Sequence, residues 1–264
     1  MALTRDRVRQ QLVAGKTVLG IIVFTASPMV VEIAAAAGLD FVILDMEHSA
    51  LDLERAGHLL RAADASGITA FVRIPAVDRG LINQLLNLGA AGIVLPHANR
   101  QNCAELLKAM RYPPEGERGA CQITRSAGYT RGNWDNYASI ANHRVMAIAL
   151  IEDAATLADF DSFAAVPGID AYFVGPSDLS VALGVPDANF DDDKLGSALD
   201  KVIAASLREG KYAMTLIGNK LEPAYGSRIA QRGVQIIVLG TDVDLFVNAI
   251  TSFSSLKASY TPDR

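Results

Sequence analysis

Eight short apolar runs, rich in Val, Ile and Leu, recur along the 264-residue chain at 18–24, 41–47, 69–74, 92–96, 145–152, 171–175, 212–217 and 235–240. Runs of this length and β-branched content, bounded by turn residues, read as strands buried on both faces of a parallel sheet. Between them lie stretches with helical spacing, such as Leu53, Ala56, Leu59, Leu60 and Ala63, or Leu81, Leu85 and Leu88. Strand alternating with amphipathic helix means parallel strands joined by right-handed crossovers. Eight repeats in a chain of this length predict a (β/α)8 TIM barrel, one domain over residues 1–264. A doubly wound open sheet is the weaker alternative, because no glycine-rich nucleotide turn follows strand one. Gly38, Gly89, Gly168 and Gly233 stand shortly before strands two, four, six and eight, which predicts the same helix-ending turn on alternate strands.

Composition narrows the function classes. Half of the residues are hydrophobic (50%), so a large core forms without staples. A net charge of −5 with no basic block argues against nucleic acid or an anionic membrane surface as partner. The apolar runs are too short to span a bilayer and the first residues lack a signal-peptide core, so a cytoplasmic protein is expected. Cys103 and Cys121 cannot make a disulfide framework or a thiolate metal site. One segment breaks the rhythm: residues 112–140 are long and polar for a connection between strands four and five. It reads as a surface excursion or as a site cover or subunit contact, and Trp134, Tyr129 and Tyr137 weigh towards contact.

Four of the runs end on residues that do chemistry: Asp45-Met46-Glu47-His48, Arg73, Glu152 and, after Gly175-Pro176-Ser177, Asp178. The C-terminal ends of parallel strands are where barrels build their sites. Glu152 and Asp178 close neighbouring strands, and two carboxylates there can hold one hard divalent cation such as Mg²⁺ or Mn²⁺, with positions left for water and a chelating substrate. The competing reading is that each caps the helix that follows it. Arg73 needs an anionic partner, either a core carboxylate such as Asp45 or the carboxylate of a substrate, and a neighbouring metal site favours the substrate. His48 is a candidate general base, and His97, at the end of strand four, is its rival. Ser177 has no Gly-x-Ser-x-Gly elbow, so its neighbourhood reads as a turn whose amides hold an anion. No Lys ends a strand, which argues against a Schiff-base mechanism.

The combination Leu44-Asp45-Met46-Glu47-His48, Val72-Arg73, Arg111-Tyr112-Pro113-Pro114 with Arg118-Gly119, Ile151-Glu152 and Gly175-Pro176-Ser177-Asp178-Leu179-Ser180 resembles the HpcH/HpaI family of class II pyruvate aldolases, over residues 17–250. The resemblance implies a barrel whose last helix is exchanged with a neighbour, assembled as a hexamer from three dimers. It implies cleavage or formation of 4-hydroxy-2-oxo acids, giving pyruvate and an aldehyde through a metal-stabilised enolate. Carried onto this chain, Glu152 and Asp178 bind the divalent cation (Mg²⁺ or Mn²⁺ first, Co²⁺ or Zn²⁺ also admitted). Arg73 and the backbone of Gly175, Ser177 and Asp178 hold pyruvate, Leu216 borders the substrate, and His48 with Asp45 handles protons. Two positions depart from the family pattern: Asn87 stands where Asp is usual, and Leu150 where Gln is common. Both bear on proton transfer, and family relatives that condense rather than cleave keep the same metal core. An enolate-using synthase or oxaloacetate decarboxylase is therefore the alternative expectation.

Overall fold

The computed structural model describes residues 7–129, 132–185, 187–218 and 222–254. Its strands are β1 (Val18–Val23), β2 (Phe41–Asp45), β3 (Thr69–Arg73), β4 (Gly92–Leu95), β5 (Met146–Ile151), β6 (Ala171–Val174), β7 (Tyr212–Leu216) and β8 (Ile236–Thr241). They are all parallel and close in sequence order, β1 pairing with both β2 and β8. This is the (β/α)8 barrel that the alternation of apolar runs predicts.

The helices are α1 (Arg7–Val13), α2 (Pro28–Ala36), α3 (Leu53–Ser66), α4 (Arg79–Leu88), α5 (Arg100–Met110), α6 (Trp134–Arg144), α7 (Ala154–Ala158), α8 (Phe160–Ala164), α9 (Pro176–Leu183), α10 (Asp193–Arg208), α11 (Pro223–Gln231) and α12 (Asp242–Ser254). Their starts follow local chemistry: Asp52 caps α3 by accepting from Arg55 N, and Asp78 caps α4 through Leu81 N. Positive-φ glycines precede every strand but β5, with Gly15, Gly67 and Gly210 joining Gly38, Gly89, Gly168 and Gly233. The turn is therefore a general device of this barrel and not one of alternate strands. Each helix that ends there needs a left-handed residue to point the chain back into the next strand.

Strand residues alternate between two cores. Val42, Leu44, Val72, Ala147 and Ala149 face the helices. Phe41, Ile43, Phe71, Met146, Ile148, Leu150, Phe173 and Met214 fill the barrel. Val8 and Leu12 of α1 join the inner set and plug the barrel at its N-terminal end. Two polar links hold that plug, Arg9 Nη2 to Asp170 Oδ1 at 2.9 Å and Gln11 Nε2 to Asp40 Oδ1 at 2.8 Å. The floor is thereby sealed, and chemistry is left to the opposite end.

The excursion at 112–140 is less irregular than its composition implies. Its later part is the start of α6, and Trp134 and Tyr137 turn inward onto buried Tyr112, with ring centroids 4.9 and 6.1 Å away. They anchor the excursion to its own barrel, while Tyr129 is exposed; residues 130 and 131 lie outside the described residues. No helix among the described residues is long and apolar enough to cross a membrane.

Candidate active site

The inward phase of each strand decides which residues reach the open end. Residues 41 and 43 point into the barrel, so 45 continues that phase; 71 leads to 73, 146–148–150 to 152, and 171–173 to 175. Asp45, Arg73, Glu152 and Gly175 are therefore one layer above the last apolar layer. Asp45 and Arg73 are also partners in the β2–β3 register.

That register produces a two-pronged ion pair. Arg73 Nε donates to Asp45 Oδ1 at 3.1 Å and Nη2 to Oδ2 at 2.6 Å, with Asp45 fully buried. Asp45 Oδ1 also accepts from Glu47 N (2.9 Å) and His48 N (3.3 Å), which fixes the loop after β2. Of the two partners open to Arg73 from sequence, the core carboxylate is the one it meets in this structure. Burial alone would lower the Arg73 pKa, but the hydrogen bond and charge of Asp45, with Glu47 and Glu152 behind it, hold it above the ordinary arginine value.

Glu47 adds a second carboxylate that the sequence offered only as part of a motif. Its Oε2 is 3.3 Å from Arg73 Nε and 3.6 Å from His48 Nε2, yet is buried without an aligned hydrogen bond. Burial raises its pKa against the pull of Arg73 and His48. The imidazole of His48 itself is half exposed and faces the barrel mouth.

Glu152 is 4% exposed. One oxygen, Oε2, accepts from His97 N at 2.9 Å and lies 3.1 Å from His97 Nδ1. His97 reaches it from a left-handed backbone (φ 45°), an uncommon conformation for a residue with a Cβ. Burial raises the Glu152 pKa, the His97 contacts oppose it, and the negative charge of Asp178 raises it further. Neither carboxylate caps a helix: α7 is capped by Asp153, and α9 begins at Gly175 with Asp178 in its first turn and no side-chain cap. The capping reading is thereby removed, and the buried Glu152 carboxylate feels the negative charge of the exposed Asp178 carboxylate in the first turn of α9. A divalent cation would relieve both the burial and the repulsion, and an all-oxygen donor pair suits a hard ion, so the residues fit such a group. Among the described residues no cluster of three or more His, Cys, Asp or Glu is arranged to hold a metal ion.

Gly175 explains how Glu152 finds room. A Cβ at this position would lie 3.1 Å from Glu152 Cγ and 3.2 Å from Leu150 Cδ1. Beyond it, the first backbone bond of α9 runs from Leu179 N to Gly175 O at 3.2 Å, which leaves the earlier N–H groups of Ser177 and Asp178 at the helix start. Ser177, Pro176 and Leu216 border a cleft of about 380 Å³ with Asn189 and Asp244. The structure thus gathers Asp45, Glu47, His48, Arg73, His97 and Glu152 into one network, with Asp178 reaching it through charge. Ser177 and Leu216 belong to the adjoining cleft. Asn87 stands apart on α4, its Oδ1 accepting from Arg118 Nη2 at 2.9 Å, and Leu150 is buried in the inner core beneath Glu152. Among the described residues, Lys211 directly precedes β7 at the floor and donates to Ala164 O and Val166 O.

The sequence and the fold are similar to those of known proteins. Residues 19–249 match the family model for HpcH/HpaI aldolase/citrate lyase. The chain is 30% identical to a hydroxypyruvate/pyruvate aldolase of Agrobacterium fabrum, over 97% of this chain and 94% of that protein. Its fold superposes on the crystal structure of an HpcH/HpaI aldolase from Desulfitobacterium hafniense with a TM-score of 0.87 and 31% identity, covering 96% of this chain and 97% of the other. The citrate synthase SbnG follows at 0.84 and 30%, covering 95% and 97%. The chain belongs to the HpcH/HpaI aldolase/citrate lyase family and is a carbon–carbon lyase by that membership.

Proposed function

We propose that this protein is a divalent-metal-dependent aldolase that cleaves, or forms, 4-hydroxy-2-oxo acids to pyruvate and an aldehyde. The observation that carries the reading is Glu152: a buried carboxylate at the end of β5 that caps no helix, its pKa raised by burial and by the charge of Asp178. These two residues would hold the cation, Mg²⁺ or Mn²⁺ by donor type, with Co²⁺ or Zn²⁺ admitted. When bound, it supplies Lewis-acid polarisation of the 2-oxo group.

The protein's own groups do the rest. The N–H groups of Ser177 and Asp178 at the start of α9, with Gly175, receive the substrate carboxylate, and Arg73 adds positive charge beside it. Asp45 holds Arg73 and, through the amides of Glu47 and His48, sets the position of the imidazole. His48 takes the proton of the 4-hydroxyl group; the C3–C4 bond breaks, its electron pair passes to the 2-oxo group, and the aldehyde departs. Returning a proton to C3 of the enolate gives pyruvate. Leu216 and the cleft around it receive the aldehyde half. The assembly accompanying this reading is a cytoplasmic hexamer of three dimers with α12 exchanged between subunits. It is supported by one apolar stripe on α12, where Val243, Phe246, Val247, Ile250 and Phe253 are exposed in the single chain.

A second reading, an enolate-using synthase or oxaloacetate decarboxylase, is favoured by two observations. Asn87 spends its carbonyl on Arg118, and Leu150 brings an apolar side chain up to the base of Glu152. A panel of 4-hydroxy-2-oxo acids and oxaloacetate, with pyruvate read through lactate dehydrogenase, separates the two. The aldolase reading expects pyruvate from at least one 4-hydroxy-2-oxo acid. Decarboxylation of oxaloacetate with no aldol cleavage would transfer the assignment to the second.

A further inference from the structure

Arg118 lies outside the site just described, and its charge is not balanced. Its residue is 4% exposed, and a guanidinium cannot shed its proton in a protein. Nη2 donates to the neutral carbonyl of Asn87 at 2.9 Å, and the group stacks 4.4 Å from the centroid of Tyr112. Its Nε is buried with no hydrogen-bond partner. The buried Arg73 faces Asp45 and Glu47, and even the part-buried Arg125 and Arg9 face Asp64 and Asp170. No carboxylate among the described residues lies within ion-pair distance of Arg118. Burial accordingly lowers its pKa, against the opposing influence of Tyr112 and Tyr137.

The same guanidinium lines a small cavity of about 50 Å³, together with Arg144, Ser126, Tyr137, Leu86 and Ile140. About 10–15 Å³ of such space is enough for one water, so there is room for a small ion but not for a metabolite. Two cationic side chains border it and no carboxylate does. A buried charge without a counter-charge is costly, and a bound ion of opposite sign removes that cost.

We propose that this cavity binds a monoatomic anion of the halide class as the counter-ion of Arg118. Asn87 creates the need, since an Asp at this position would place a carboxylate against Nη2 and balance the charge from within the chain. The site is structural, and it makes stability depend on the identity of the anion in solution.

The test is thermal unfolding in chloride against gluconate at fixed ionic strength, gluconate being too bulky for the cavity. The parent protein should gain about 2–4 °C in Tm, saturably, with chloride alone. Arg118→Gln is a poor probe because it removes stacking as well as charge. Asn87→Asp is the decisive variant: it should be more stable than the parent in gluconate and should lose the chloride response. Equal Tm curves in the two salts would overturn the site, as would an Asn87→Asp variant that keeps the full chloride response. If that variant does not fold, bromide-soaked crystals of the parent decide. An anomalous peak between Arg118 and Arg144 is expected, and water alone in the cavity would refute the proposal.

Discussion

Arg73 links stability and chemistry in one side chain. Its fork is spent on Asp45, and Glu47 lies 3.3 Å from Nε, so it cannot be removed as though it only touched substrate. Arg73→Ala leaves buried carboxylates without their cation and should cost about 3–5 kcal/mol of stability, read by urea unfolding, in addition to turnover. A variant as stable as the parent would contradict the pairing. Gly175 makes a sharper test, because its replacement neither adds nor removes a charge. In Gly175→Ala the new methyl meets Glu152 Cγ at 3.1 Å and Leu150 Cδ1 at 3.2 Å. Glu152 and Leu150 must each give by a few tenths of an ångström, and the displaced carboxylate should lower kcat by about 10–100-fold while the crowding costs about 1–3 kcal/mol in stability. Unchanged kcat would mean that the position of Glu152 is not critical.

At the level of elements, short apolar runs bounded by turn residues made the strands legible, and their loaded ends with them. The inward phase that carries Ile148 and Leu150 into the barrel also carries Glu152 to its mouth, so that residue was readable from spacing. The Asp45–Arg73 pairing was not: the sequence favoured a substrate carboxylate for Arg73, and only the β2–β3 register sets Asp45 beside it. Nor was the contact of His97 with Glu152, which depends on a left-handed backbone that no residue preference of His announces. The internal packing of the 112–140 segment was not legible for a related reason: Trp134 and Tyr137 meet Tyr112 through tertiary packing, which local composition does not encode. The junction between β1 and α12 rests on one side chain. Asp242 accepts from Phe24 N (2.9 Å), Thr25 N (3.1 Å) and Thr25 Oγ1 (2.6 Å). Asp242→Ala should therefore speed hydrogen exchange at the amides of Phe24 and Thr25 and cost about 1.5–3 kcal/mol. Unchanged protection there would show that the tether is dispensable.

For the whole molecule, the barrel is sealed below by α1 and open above, while α12 exposes an apolar stripe to solvent in a single chain. An exposed stripe of that size belongs to an interface. Light scattering should give six times the 28.1 kDa chain mass, and Phe246→Glu with Phe253→Glu should reduce it. A monomeric parent would remove the exchanged helix from the account. The central claim concerns the opposite end of the barrel, where Glu152 and Asp178 would hold a divalent cation that the reaction needs. Pyruvate release from a cleaved 4-hydroxy-2-oxo acid, followed before and after exhaustive chelation and again after adding Mn²⁺, tests it most directly. Chelation should abolish release, and Mn²⁺ should restore it in the parent but not in Glu152→Ala. Turnover that survives exhaustive chelation undiminished would contradict it.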